Sequence, residues 1–398
     1  MIDWLARHDP NRVFLETSQG GHTYGDIANY VHNRPVAGLE LLWPRLDAGS
    51  VVDLLAVISS GCAVLVGPDA DGPSGIDPQD AATVVFTSGT TGGSKGVRLT
   101  RSNWEAAVNA SIQHLGHGPG DVWLLAMALH RVGGLAIVLR SLFAGGTVRI
   151  PARLDAAEFI AALRSGVTFA SLVPTMLHRI LEIDPGPYLG VRAVLVGGGP
   201  IPEGLLERAS RAGLPVLPTY GMTETCGQVA TLRPGSPPER KAHPLPGVEL
   251  RIELDGRIAV RGPMVSPGYV GEPDRDPGSW FVTGDLGELG PDGALRVLGR
   301  ADNVIVSGGE NIEPEVIEEH LRAISGVEEA LVFGVPSVEW GMEVACLYVG
   351  DLEPDVLESH LRERLGGILI PKRWHRVGVI PKTDLGKPDR GQAIRLLS

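Results

Sequence analysis

Thr83-Val84-Val85-Phe86-Thr87 runs directly into Ser88-Gly89-Thr90-Thr91-Gly92-Gly93-Ser94-Lys95-Gly96. The first five residues are mostly β-branched or apolar and read as a buried strand. The remainder is a turn rich in glycine. Gly89, Gly92, Gly93 and Gly96 allow positive φ and let successive backbone N–H groups turn inward as an anion nest. Thr87, Ser88, Thr90 and Thr91 add hydroxyl donors, and Lys95 adds a movable positive charge. Such a density of donors suits oxygens whose charge shifts during phosphoryl displacement. The spacing is not G-x-x-x-x-G-K-[ST], so the string is not a Walker loop. Taken alone it also fits a Gly/Ser/Thr linker. The strand before it and the helical pattern after it favour the phosphate reading.

Working outward, Ser102 reads as the cap of a helix with Trp104, Val108 and Ile112 on one face. Residues 155–165 read as a helix with Phe159, Ile160 and Leu163 inward. Strands are expected at 168–173, 191–196 and 214–218, with helices at 175–183 and 202–212. This alternation predicts an α/β fold with a mainly parallel sheet and helical crossovers. Near Gly247 the character changes, and 248–260 and 280–298 read as short strands of a β-rich subdomain. A small α+β domain is expected after the boundary near Asp302. Its first helix, 313–325, carries Ile317, Leu321 and Ile324 inward and pairs Glu318 with Arg322 at i, i+4. The predicted division is 1–301, a large N-terminal domain, and 302–398, a small mobile C-terminal domain.

Composition excludes other classes. The 398 residues carry 35 Lys+Arg against 47 Asp+Glu, a formal charge of −12. That balance argues against general binding to nucleic acid or anionic membranes. The 53 glycines and 31 prolines indicate a loop-rich globular chain rather than a disordered one. Cys62, Cys226 and Cys346 are far apart and form no C-x-x-C, so a disulfide framework or zinc site is not expected. The N-terminal residues show no apolar core of a signal peptide, and the most apolar stretch, 51–67, is too short and interrupted to span a bilayer. The expected location is the cytoplasm.

Further strings join the phosphate loop. They are Val196-Gly197-Gly198-Gly199-Pro200, Tyr220-Gly221-Met222-Thr223-Glu224-Thr225, Trp280-Phe281-Val282-Thr283-Gly284-Asp285 and Gly299-Arg300-Ala301-Asp302. Ser307-Gly308-Gly309-Glu310-Asn311-Ile312 and Pro381-Lys382-Thr383-Asp384-Leu385-Gly386-Lys387-Pro388 complete the set. Together they resemble the adenylate-forming superfamily of acyl-CoA ligases, adenylation domains and luciferases. Ser94 stands where proline is common in that family. The resemblance implies that ATP is held by Thr87, Ser88, Gly89, Thr90, Thr91, Gly92 and Lys95. It implies an adenine-side turn at Gly198, Gly199 and Pro200, although these residues alone also fit an ordinary strand-to-helix turn.

By the same resemblance Tyr220, next to Gly221, stacks on adenine and Thr223 contacts the α-phosphate. Glu224 helps hold Mg²⁺, as one hard carboxylate can beside phosphate oxygens. Read alone it is a solvated acid. Asp285 and Arg300 take the ribose, with Val297 nearby, and Asp302 is the hinge. Ser307, Gly308 and Gly309 approach the pantetheine of coenzyme A, or form only a tight turn. Lys387 is the adenylation lysine, bridging two crowded anions in the transition state. Lys382 reads as a solvated neighbour. Catalytic groups are therefore expected at Lys387, Lys95, Thr223 and Glu224, with the metal at Glu224. The implied mechanism joins a carboxylate to AMP and then to a thiol, with the small domain turning about Asp302 between the steps.

Ser171, Gly197, Met222, Cys226 and Gly227, with their flanking residues, look most like o-succinylbenzoate-CoA ligases of menaquinone biosynthesis. The partner is then a small-molecule carboxylate. Two departures stand out. His130 is followed by Arg131, where a second histidine is usual; Arg131 either binds a substrate carboxylate or faces solvent. Residues 30–80 are abbreviated, although Thr23-Tyr24-Gly25-Asp26-Ile27 keeps the usual pattern. Other readings remain: another aryl- or acyl-CoA ligase, a stand-alone enzyme loading a carrier protein, or a degenerate adenylate-binding protein. A homodimer is compatible with each.

Overall fold

The computed structural model describes residues 2–36, 38–65, 80–87, 95–199, 201–307, 310–337, 340–365, 367–382 and 388–397. The chain forms two compact units. The larger comprises Met1–Arg251, Ala259–Phe281 and Gly290–Leu295; the smaller comprises Ile252–Ile258, Val282–Leu289 and Arg296–Ser398.

In the larger unit a nine-stranded sheet runs from His243–Pro244 through Gly227–Thr231, Val216–Met222, Ala193–Val196, Phe169–Leu172, Val122–Leu124, Thr147–Arg149 and Val13–Thr17 to Gly20–Thr23. Its centre is parallel and its outer pairs are antiparallel. The crossovers start where side chains satisfy the first N–H groups. Asp155 caps Ala156–Arg164 by accepting from the Glu158 N–H at 2.9 Å, and Pro174 occupies the first turn of Pro174–Ile183. Phe159, Leu163, Leu177 and Ile180 pack against Leu172, Val194 and Val196. Each such side chain contributes about 1.5–3 kcal/mol of burial.

A second sheet in this unit has the order Gly268–Tyr269, Lys95–Thr100, Ala81–Thr87, Cys62–Leu65 and Leu39–Leu42. Here the structure departs from the sequence reading. Residues 88–94 connect two antiparallel strands rather than a strand and a helix, with Phe86 opposite Gly96 and Thr87 opposite Lys95. Val97 and Leu99 are buried, and so is Arg98 between them. The helix follows at Arg101–Leu115, and its cap is Thr100 rather than Ser102. Thr100 Oγ1 accepts from the Asn103 N–H, and Asn103 Oδ1 accepts from the Thr100 N–H. The abbreviated 30–80 region still builds a β-α-β unit. Leu39–Leu42 lies parallel to Cys62–Leu65, joined through the helix Ala48–Ser60. Arg34 ties its start by donating to Glu40 and Asp53.

The strands expected between 248 and 298 are Glu249–Ile252, Arg257–Arg261, Phe281–Leu289 and Leu295–Arg300, neighbours in that order. In the smaller unit, Val327–Ser337 and Gly341–Gly350 form a long hairpin flanked by Ile305–Ser307 and Arg373–Arg376. Helices Pro314–Arg322 and Pro354–Arg362 bury Ile317, Leu321, Leu357 and Leu361 on one face. Ile380 and Ala393 close the other face. Glu318 and Arg322 pair as expected, at 2.6 Å, but Glu318 is buried. Among the described residues no helix is long and apolar enough to cross a membrane.

Candidate active site

In the larger unit the strand Val216–Met222 ends in a single 3₁₀ turn, Thr223–Thr225. Thr225 is buried and pins this turn: its hydroxyl donates to the Met222 or Gly227 carbonyl and accepts from the Met222 N–H. Cys226 then adopts φ 53°. Burial pushes its thiol well above the ordinary value, so it packs as an apolar group rather than reacting. Gly221 is required by close approach, because a Cβ there would stand 1.8 Å from the Gly227 carbonyl oxygen. Gly197 is required for the same reason, with Thr219 O 2.6 Å from a built Cβ. These two glycines bring the ends of adjacent strands together and set Tyr220, Met222 and Thr223, all half-buried, on one rim.

Glu224 is held at both ends. Its carbonyl accepts from the Ser266 N–H at 2.7 Å, and its Oε1 accepts from the Tyr269 hydroxyl at 2.9 Å. Burial raises the Tyr269 phenol above its usual value, and the Glu224 charge adds to the effect. Lys95 reaches the same place from the neighbouring strand. Its Nζ lies 4.9 Å from the Tyr269 ring centroid and 3.6 Å from Glu272 Oε1.

The other sequence-selected residues of this unit fall nearby in the fold. Thr87 closes its strand, with its hydroxyl 3.4 Å from Lys95 O. Ser171 is buried, and its hydroxyl has no hydrogen-bond partner among the described residues. Gly198 takes φ 76°, Gly199 is exposed, and Gly227 takes φ 97°. His130 is half-buried, and burial, then Arg131, lowers its imidazole from the ordinary range. Arg131 is not a solvent-facing group: it is half-buried, and its Nη1 donates to Phe86 O at 3.2 Å. Ser88, Gly89, Thr90, Thr91, Gly92, Pro200, Gly308, Gly309 and Lys387 lie outside the described residues.

In the smaller unit Asp285 is fixed by its N–H, which donates to Thr283 Oγ1. Arg300 bridges two carboxylates. Its Nη1 donates to Asp285 at 3.2 Å, and its Nε and Nη2 donate to the two Asp302 oxygens at 3.1 and 2.9 Å. Gly284 makes room for it, since a Cβ there would stand 2.8 Å from the guanidinium. Val297 is exposed and Ser307 buried. Lys382, read as solvated, instead forms a 2.7 Å ion pair with Glu329.

Sequence reasoning missed Ser266, Tyr269, Glu272 and Arg98. Arg98 donates to Tyr269 O and Asp274 Oδ1, across more than 170 residues of chain. No local pattern signals such pairing. It also missed Arg390, which donates to Val332 O, Glu315 and Glu318.

Residues 37–270 match the family of AMP-binding enzymes, and 316–387 match the AMP-binding enzyme C-terminal domain. The chain belongs to this family. It is 37% identical over 360 residues to a 2-succinylbenzoate–CoA ligase of Listeria monocytogenes serotype 4b, covering 87% of this chain and 77% of the relative. Among solved structures it is similar to the o-succinylbenzoate CoA synthetase of Bacillus subtilis in complex with the acyl-adenylate intermediate OSB-AMP. That match has a TM-score of 0.86 and 28% identity, and covers 98% of this chain and 97% of the other. The same Bacillus subtilis enzyme in complex with ATP and magnesium ion matches at TM-score 0.85 and 27% identity, covering 98% of each chain.

Proposed function

We propose that the chain is an AMP-forming acid–thiol ligase that converts 2-succinylbenzoate to its CoA thioester in menaquinone biosynthesis. The observation that carries this reading is the 37% identity, over 87% of the chain, to a 2-succinylbenzoate–CoA ligase. In the first half-reaction a substrate carboxylate attacks the α-phosphorus of ATP, and pyrophosphate leaves. In the second the thiol of CoA attacks the acyl carbon, AMP leaves, and the thiol proton passes to solvent. Both co-substrates are cytoplasmic metabolites, and we assign the reaction to that compartment.

The chain's own groups divide the work. Tyr220 presents its ring to adenine, beside Gly198 and Gly199. Asp285 accepts from the ribose hydroxyls, and Arg300, already across Asp285, orients that carboxylate. Thr223 donates to the α-phosphate, and Lys95 faces the outer phosphates. Glu224 fits a magnesium site. Its half-buried carboxylate is a hard donor, and among the described residues no cluster of three or more His, Cys, Asp or Glu side chains stands ready as a protein cage. That suits an ion that takes one carboxylate and completes its shell with phosphate oxygens and water. Bound magnesium neutralises charge on the triphosphate.

For the acid, the orphaned Ser171 hydroxyl is a buried donor awaiting an acceptor. Arg131 supplies a forked cation for the second carboxylate while one of its N–H groups stays on Phe86 O. Met222, Cys226 and Gly227 line the apolar side. Residues 302–398 then act as the mobile part, turning about Asp302 to present Lys387 for adenylation and the Ser307–Glu310 loop for thiolation.

The test is AMP formation from ATP, Mg²⁺ and CoA, with 2-succinylbenzoate set against benzoate, salicylate and medium-chain fatty acids. Strong preference for 2-succinylbenzoate is expected; activity confined to another acid would overturn the substrate. Replacing CoA by a phosphopantetheinyl carrier tests the acceptor. Arg131→Leu should raise KM about tenfold for 2-succinylbenzoate and leave that for benzoate unchanged. Equal effects on both acids would remove Arg131 from the pocket.

A further inference from the structure

Between residues 266 and 274 a short segment crosses from the 3₁₀ turn to the edge of the second sheet. Its ends are fastened by groups that have no part in the chemistry. Ser266 N–H donates to Glu224 O at 2.7 Å, and Ser266 Oγ lies 2.7 Å from the Arg98 carbonyl. Val270 N–H donates to Gly96 O at 2.8 Å, and Tyr269 pairs with Val97. The Arg98 side chain is buried and donates to Tyr269 O at 3.2 Å, Glu272 O at 3.4 Å and Asp274 Oδ1 at 2.5 Å. The segment is therefore a strut between Glu224 and the strand that begins at Lys95.

Tyr269 is the one side chain of this strut that meets both functional groups. Its hydroxyl donates to Glu224 Oε1 at 2.9 Å, while its ring lies under the Lys95 ammonium at 4.9 Å. A hydrogen bond of this kind fixes a carboxylate rotamer, and the π-face gives an ammonium a seat without a competing full charge. Glu272, three residues on, is the full charge. It lies 3.6 Å from Lys95, and both side chains are about half exposed. An exposed pair at that distance is weak and screened, so a polyphosphate of higher charge displaces it.

Resting on the reading that Glu224 and Lys95 meet magnesium and triphosphate, we propose that Tyr269 is a positioning residue that holds this carboxylate and this ammonium at a fixed separation. Glu272 is the counter-ion that Lys95 exchanges for ATP. The strut couples the metal side of the nucleotide to its phosphate side through one phenol.

The test is calorimetric titration of ATP into the full chain, once with Mg²⁺ and once with EDTA, for the wild type, E224Q, Y269F, Y269L and E272Q. Y269F keeps the ring and loses the hydroxyl. It should weaken binding with Mg²⁺ roughly tenfold and leave binding in EDTA unchanged. The EDTA titration doubles as its folding control. Y269L should also weaken binding in EDTA, because Lys95 loses its seat. E272Q should tighten binding in EDTA severalfold at low salt, an effect that fades as salt is raised. If E224Q loses the Mg²⁺-dependent part while Y269F binds like wild type, the positioning role is overturned and the metal reading of Glu224 stands. If E224Q itself binds like wild type, the metal reading fails and the inference falls with it. Unchanged binding by E272Q at low salt overturns the exchange of counter-ions.

Discussion

In the larger unit Lys95 faces Glu272 across 3.6 Å, with side chains 52% and 51% exposed. In the smaller unit the Glu318 side chain is 3% exposed and accepts from Arg322 and Arg390, both at 2.6 Å, and from the Val332 N–H at 2.9 Å. The same kinds of charge are used in opposite ways. Water screens the first pair, so it costs little to separate and can yield to a ligand. Desolvation makes the second cluster costly to disturb, and it fixes a helix, a strand and the C-terminal helix to one another. Exposure, more than distance, decides whether an ion pair is exchangeable or structural.

The largest effect expected from breaking this comparison is on the reaction itself. Lys387→Ala should slow acyl-adenylate formation by a factor on the order of 10² or more. Thiolation of supplied acyl-adenylate should be largely retained, as single-turnover assays of each half-reaction would reveal. Equal losses in both halves would refute a lysine that serves only the first step.

Next comes Glu318→Ala, which strands two guanidinium groups and a backbone N–H. It should cost about 3–5 kcal/mol in urea or thermal unfolding. A loss near zero would mean that the cluster is no more structural than the Lys95 pair.

The larger unit has its own buried titratable group, and pH sharpens the contrast. Burial against Trp123 and Phe169, and then the Arg140 charge, lowers His117 from 6.5 to about 4. Between these values the unfolded chain binds the proton and the folded chain does not. Stability is therefore complete above pH 6.5 and falls as pH drops toward 4, by about 3 kcal/mol in all. His117→Leu should flatten that part of the stability–pH curve; an unchanged slope would assign the loss to other groups.

The smallest effect belongs to the exposed pair. Glu272→Gln should change stability by no more than about 0.5 kcal/mol. A loss of several kcal/mol would make the pair structural and end the contrast.

Much of the architecture is legible in local sequence because local forces determine it. Asp155 caps its helix through its own side chain, Phe159 and Leu163 recur at helical spacing, and Glu318 meets Arg322 one turn away. Two errors had a common origin. The loop at 88–94 reads as strand-to-helix because residues 95–100 are too short and too glycine-bearing to announce a strand. Only pairing with Ala81–Thr87 and Tyr269 makes them one. Ser102 and Thr100 are equally good caps by composition, and the strand's end selects Thr100. Lys382 reads as solvated because its partner, Glu329, lies 53 residues away.

The sequence by itself determined the alternation of elements, the glycines at 197 and 221, and the identity of the groups offered to nucleotide and acid. Those are properties of single residues and short spacings. The tertiary structure alone decided that Tyr269 lies between Glu224 and Lys95. It decided too that Arg98 locks the segment carrying Tyr269, and that Glu318 is buried while Glu272 is not. Each depends on which distant strands pair and on how much water remains beside a charge, and neither is encoded in any one stretch of chain.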